Sequence, residues 1–208
     1  MGIADGGIMI AGNFSKYVLA VAAVLLAGSA MSAAQDTAYL LDPAQSSVQF
    51  TLADALHTVH GTFKVKQGKL QLEPSGKMDG EIVVDATSGQ SGSGMRDRKM
   101  NREVLESARY PEIAFRPDQI EGKVPMEGKS SVMIHGTFSL HGADRNITVP
   151  AQVEVSADHW SAKVHFTVPY AKWGMKNPST LFLRVSDTVE IDLAAAGTVV
   201  RNSAISSQ

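Results

Sequence analysis

The chain has 208 residues, 44% of them hydrophobic and 19% charged, with a formal net charge of −2. That length and apolar content fit a single domain with a real core and exclude a disordered chain. The near-neutral charge, with no basic stripe, argues against a nucleic-acid binder. The sequence holds no cysteine, which excludes thiol catalysis, thiolate metal sites, disulfides and covalent c-type haem attachment.

Residues 1–34 read as a cleaved secretory signal. Lys16 precedes the apolar run "YVLAVAAVLLAG", and "SAMSAAQ" supplies the small-residue exit, with the cut after Ala34 and Ser32 at the minus-three position. The run is short for a bilayer span, so an uncleaved anchor is the weaker alternative, and Met9 is an alternative start to Met1. An exported, disulfide-free chain without a lasting membrane span fits a bacterial periplasm. The domain then occupies residues 35–197, and residues 198–208 form a short polar tail.

From Tyr39 to Leu193 apolar and polar residues alternate with period two. "SSVQFTLA" sets Val48, Phe50 and Leu52 on one face. "HTVHGTFKVK" does the same with Val59, Phe63 and Val65, leaving His60, Thr62 and Lys64 opposite. Gly68 reads as a turn before Leu70 and Leu72. Ile82, Val84 and Ala86 follow, and after the charged insert come Ile113 and Phe115. Val132, Ile134, Phe138 and Leu140 share a face, as do Ile147, Val149, Ala151, Val153 and Val155. Trp160, Ala162, Val164, Phe166, Val168 and Tyr170 make the next face, and Val189, Ile191 and Leu193 end the set. Eight or nine strands with one apolar face each predict an antiparallel sheet wetted on its outer side. Such a sheet closes into an up-and-down, eight-stranded barrel or folds into a two-layer sandwich. Gly61 and Gly136 fall on the apolar phase, where a backbone bends or something approaches closely. Pro150 marks an edge, bulge or kink.

Residues 91–111, "SGSGMRDRKMNREVLESARYP", break the pattern. They predict one short helix over about 95–107, with Ser93 as N-cap and the end set before Tyr110 and Pro111. Met100, Val104 and Leu105 share its apolar face. The helix reads either as a solvated cap or as a mouth at which Arg96, Arg98 and Lys99 meet an anionic head group. "KWGMKNPST" joins Trp173 to Gly174, Pro178, Lys172 and Lys176, a composition suited to a rim. The six histidines, His57, His60, His135, His141, His159 and His165, lack metal-ligand spacing and are read as mostly solvent-facing. "GQSGSGM" is not a nucleophile elbow, and no pair of carboxylates is placed for acid–base work. No catalytic residue, metal ligand or nucleotide cofactor is assigned.

"SGSGMRDRKMNREVLESARYPEIAF" resembles the central motif of the YceI-like polyisoprenoid-binding family, with its Arg-Asp pair, short helix and Tyr-Pro. "VHGTFKVKQGKL" and "VMIHGTFSLHGADRNITVPAQV" are similar to that family's early strand and later strand pair. The resemblance spans about residues 37–196. One departure is that "VPYAKWGMKNPSTLFLRVSD" aligns Gly174 but lacks the charged residues many members carry before it. The resemblance implies a lipocalin-like barrel whose tunnel binds a long isoprenoid or other amphipathic lipid, polyprenyl or quinone-like, without catalysis. It also allows a homodimer. Lining residues would be Val48, Phe50, Phe63, Ile82, Val84, Phe115, Ile134, Phe138, Val153 and Phe166, with Arg96, Arg98 and Trp173 at the rim. An enzyme acting on a lipid-like substrate and an interaction module with a packed barrel are the alternatives.

Overall fold

Nine strands form from the alternating segments, and from β2 to β9 each pairs with its neighbour in the chain. The structure, a computed structural model, describes Gly2 and residues 36–53, 57–180 and 184–201. The expected signal segment, Gly2 apart, lies outside the described residues, as do residues 202–208 of the expected tail. The strands are β1 (Thr37–Leu41), β2 (Ser47–Ala53), β3 (Thr58–Leu72), β4 (Met78–Gln90), β5 (Glu112–Glu121), β6 (Gly128–Leu140), β7 (Ala143–Ser156), β8 (His159–Val168) and β9 (Val189–Arg201). All pairings are antiparallel, and β3 against β4 closes the sheet.

β1 and β2 share one position in the wall. β1 lies along residues 69–72 of β3 and 197–201 of β9, and β2 along residues 58–63 and 190–194. The nine strands therefore build a closed, eight-stranded, up-and-down barrel. Closure removes free edges and overturns the sandwich alternative. The break falls at Asp42 and Pro43. Proline has no N–H to offer a ladder, and the Asp42 carboxylate accepts the Ala44 N–H at 2.9 Å and the Gln45 amide at 2.7 Å.

Two expectations are corrected. Gly68 is not a turn: β3 runs through it, and a bulge between Val65 and Gln67 shifts the inward phase from Phe63 and Val65 to Leu70 and Leu72. One extra residue reverses which parity faces the core. β5 does the same between Pro117 and Gln119, turning Ile120 inward. Residues 198–201 are not tail but the end of β9, where buried Val199 pairs with Tyr39; β1 itself was not anticipated as a strand.

Pro150 stands where β7 parts from β8, which pair only from Ala151 onward. In the parted half of β7, Arg145 donates to the Trp173 carbonyl at 2.8 Å, and its guanidinium lies 4.6 Å from the Trp173 ring centroid. Gly61 and Gly136 do admit close neighbours, but these are protein: the Phe50 ring at Gly61, and the Arg116 carbonyl beside the β5 bulge at Gly136.

The insert forms α1 (Gly94–Lys99), continued by one π turn, Met100–Val104. It ends earlier than expected because Leu105 N–H reaches back to the Met100 carbonyl, and Glu106 takes a positive φ of 47°. Ser107 then donates to the Asn101 side chain at 2.8 Å. Ser93 occupies the N-cap position without a side-chain cap bond. The start is pinned instead by Ser91, whose N–H and hydroxyl donate to Asp97 and whose oxygens accept Arg96. Ser91 and Ser107, one at each end of the helical segment, are both buried.

Candidate functional site

The inward faces enclose two adjoining cavities. The inner one, about 160 Å³, lies between the barrel walls and is lined from Tyr39 and Trp160 at one end to Phe63 and Phe138 at the other. Every lining residue is apolar or aromatic. The outer one, about 390 Å³, lies under α1 and the segment after β8. Phe63, Ile113, Phe138 and Ile191 line both, forming a waist between them. A concave, mostly apolar space with a few polar groups at one side is the usual form of a small-molecule site.

Strand register places the parts. Tyr39 and Trp160 sit on the barrel end formed by β1 and the last residues of β3 and β9, remote from the helix. Their rings meet edge-on at 5.7 Å, and Trp160 Nε1 donates to the Leu40 carbonyl. At the waist, Phe138 meets Phe166 edge-on at 5.8 Å, a geometry favoured by the ring quadrupoles. Phe63 lies 5.4 Å from Phe50.

Val48, Ile82, Val84, Phe115, Ile134, Val153 and Phe166 line the inner cavity, Phe50 the outer one, and Phe63 and Phe138 both. The rim residues separate. Arg96 lines the outer cavity, but two of its guanidinium nitrogens are held by Ser91 at 2.8 and 2.7 Å. Arg98 reaches neither cavity; it lines an outward groove with Asn101, Arg102 and Arg109, because it points off the helix face opposite the barrel. Trp173 is also absent from the cavity walls and packs on Phe138, 6.0 Å between ring centroids. It lies in a turn, not a strand. Lys99 is half-buried and lines the outer cavity.

Sequence reasoning missed Met175 and Val185 in the outer wall; Tyr170, expected on the inward face that begins at Trp160, and Pro178, expected at the rim, join them there from the segment after β8. The only signal for Met175 and Val185 was an apolar residue in a stretch without a period. Tyr170 is fixed there, its hydroxyl donating to the Ser186 carbonyl at 2.6 Å, and burial pushes its phenol up to about 12.

Among the described residues, two contacts clasp the helix to this segment. Lys176 donates to Glu103 at 2.9 Å, and Lys99 to the Pro178 carbonyl at 3.3 Å. Hydrogen bonds from Arg102 and Lys176 lower the Glu103 carboxyl from 4.5 to about 2. A depressed folded-state value means the contribution is complete above about 4.5 and is lost as pH falls through about 2. Trp173 emission, read in a Trp160→Phe background, should therefore shift as pH falls through about 2, and Glu103→Gln should lack that transition. The same transition in both proteins would detach it from Glu103.

The histidines decorate the outer face. His60 bonds Thr51 at 3.1 Å, His135 bonds Thr148 at 2.7 Å, and His165 bonds Asp192 at 2.8 Å, which raises the His165 pKa. His141 departs from the solvent-facing expectation: it is half-buried against the Tyr110 ring at 4.8 Å. Among the described residues no three His, Asp or Glu side chains gather as metal ligands. No helix among them is long and apolar enough to cross a membrane.

Residues 39–196 match the family described as YceI-like domain. A UPF0312 protein of Vibrio parahaemolyticus is 26% identical over 137 residues, covering 62% of this chain and 70% of the relative. Among solved structures, a polyisoprenoid binding domain from Saccharophagus degradans, described as implicated in plant cell wall breakdown, superposes with a TM-score of 0.63 at 18% identity. It covers 78% of this chain and 98% of the other. BcnA of Burkholderia cenocepacia gives 0.63 at 16% identity, covering 76% and 99%. At these identities the likeness is one of fold.

Proposed function

We propose that this chain, which belongs to the YceI-like domain family, binds a long-chain isoprenoid or similar amphipathic lipid inside its barrel and carries or stores it without catalysis. The observation that supports this most is the pair of adjoining apolar cavities, joined at Phe63 and Phe138. A solid core would leave no such space. A lipid tail in water is unfavourable by ~0.8 kcal/mol per methylene, and burying it needs only apolar walls of this kind. The structurally similar polyisoprenoid binding domain of Saccharophagus degradans agrees with the reading. The carboxylates and imidazoles that could serve acid–base chemistry lie mostly on the outer face, away from both cavities, which favours binding over turnover. The export signal read in residues 1–34 adds a periplasmic setting, where a carrier would keep such a lipid from water.

Titration with prenyl alcohols of increasing length tests the reading. Each added isoprene unit should raise affinity by at least about tenfold until the inner cavity is full, after which affinity should level off. Affinity independent of chain length, or no binding at any length, would refute it.

A further inference from the structure

The charged groups of the two cavities are gathered at one wall. Among the described residues that line them, the charged side chains are Arg96 and Lys99, both cationic and both on the outer cavity. No described carboxylate lines either space. The helix acids are engaged elsewhere: Asp97 accepts from Ser91, and Glu103 from Arg102 and Lys176.

The two cations are not equivalent. Arg96 is tied to Ser91 through Nε and Nη2. Lys99 carries three N–H donors and among the described residues makes a single long hydrogen bond, 3.3 Å, to the Pro178 carbonyl. It is half-buried, with Met100, Val104, Leu105 and Met175 on the same cavity wall. An ammonium beside apolar walls interacts with an anion more strongly than one in open water. At the far end of the inner cavity no charged group waits, and the Trp160 N–H is already donated to Leu40.

We propose that Lys99 is a head-group site: it receives an anionic oxygen head group, phosphate or carboxylate, of a long-chain amphiphile whose tail passes the Phe63 and Phe138 waist into the inner cavity. The proposal rests on the lipid reading above and adds to it a charge class and a direction. Arg98, which points into the outward groove, takes no part. The Pro178 carbonyl is the resting partner that the head group displaces, so loading also loosens one of the two contacts between helix and loop.

The test compares geranylgeranyl phosphate, geranylgeranoic acid and geranylgeraniol, which share one tail. The unaltered protein should bind the two anions about tenfold more tightly than the alcohol, the size expected of one charge-assisted hydrogen bond. Lys99→Met should remove that preference and leave the alcohol within about twofold, while Lys99→Arg should keep most of it. Added salt should shrink the preference in the unaltered protein without weakening the alcohol, a reading that does not depend on any variant folding. Equal affinity for all three ligands in the unaltered protein, or an equal loss for anions and alcohol in Lys99→Met, would overturn the head-group site alone. No binding of any of the three would overturn the lipid reading and the site with it.

Discussion

Gly61→Val should lower the melting temperature by roughly 6–12 °C, corresponding to a loss of about 3 kcal/mol in a chain of this size. Gly61 faces Phe50 across the β2–β3 ladder. A side-chain carbon built there would lie 2.2 Å from the Phe50 ring and 2.5 Å from the Gln90 carbonyl. The ring could swing, but the carbonyl belongs to the β4 backbone, so no single movement relieves both contacts. Displacing Phe50 also disturbs Phe63 at 5.4 Å, and with it the waist between the cavities. Thr62→Val, on the outward phase of the same strand, should change stability by no more than about 0.5 kcal/mol. A thermal melt in which the two variants behave alike would show that the close approach at Gly61 is not a constraint.

Ala162→Trp should shorten the space available to a tail. Ala162 pairs with Val153 and Ala195, and all three line the inner cavity of about 160 Å³. An indole projecting there excludes the last few methylenes of a long chain. At ~0.8 kcal/mol for each, losing about four weakens long-chain binding by roughly 200-fold. A ten-carbon prenyl alcohol, too short to reach that end, should bind within about twofold of its normal affinity. The levelling-off in the length series should move to a shorter chain. Equal losses for short and long chains, or no loss for either, would place the tail elsewhere.

The wall of the barrel is readable from the residues because one-sided alternation carries its own geometry. Val48, Phe50, Ile134, Phe138, Val153 and Phe166 sit on the inward phase of long strands, and the structure sets each against a cavity. Alternation fails where parity breaks. The bulges at Val65 and Pro117 insert a residue and move the inward set from odd to even positions. At Pro117 the proline itself is the signal, but nothing in the composition around Val65 announces the shift, which is why Gly68 reads as a turn. The sharing of one wall position by β1 and β2 is equally silent, since it depends on which halves of β3 and β9 they meet. At the helix end, sequence spacing brings Met100, Val104 and Leu105 to the outer cavity, but it treats Arg96, Arg98 and Lys99 as interchangeable. What distinguishes them is tertiary: the Ser91 hydroxyl that holds Arg96, the outward groove that takes Arg98, and the Pro178 carbonyl that meets Lys99. Tyr170 still follows the β8 alternation, but Met175 and Val185 lie in stretches with no period at all, so only the folded chain shows that they complete the cavity wall.

Methyl resonances of the labelled protein, followed as geranylgeraniol is added, report directly on whether the interior holds the lipid. Val153, Val164 and Leu193 line the inner cavity, whereas Leu40 and Val200 are 37% and 43% exposed, close to that end of the barrel. A lipid inside the barrel should shift the first three in proportion to a one-to-one complex and leave the last two in place. Shifts confined to Leu40 and Val200, with the inner methyls unmoved at saturation, would mean that the barrel is sealed and that the lipid binds outside it.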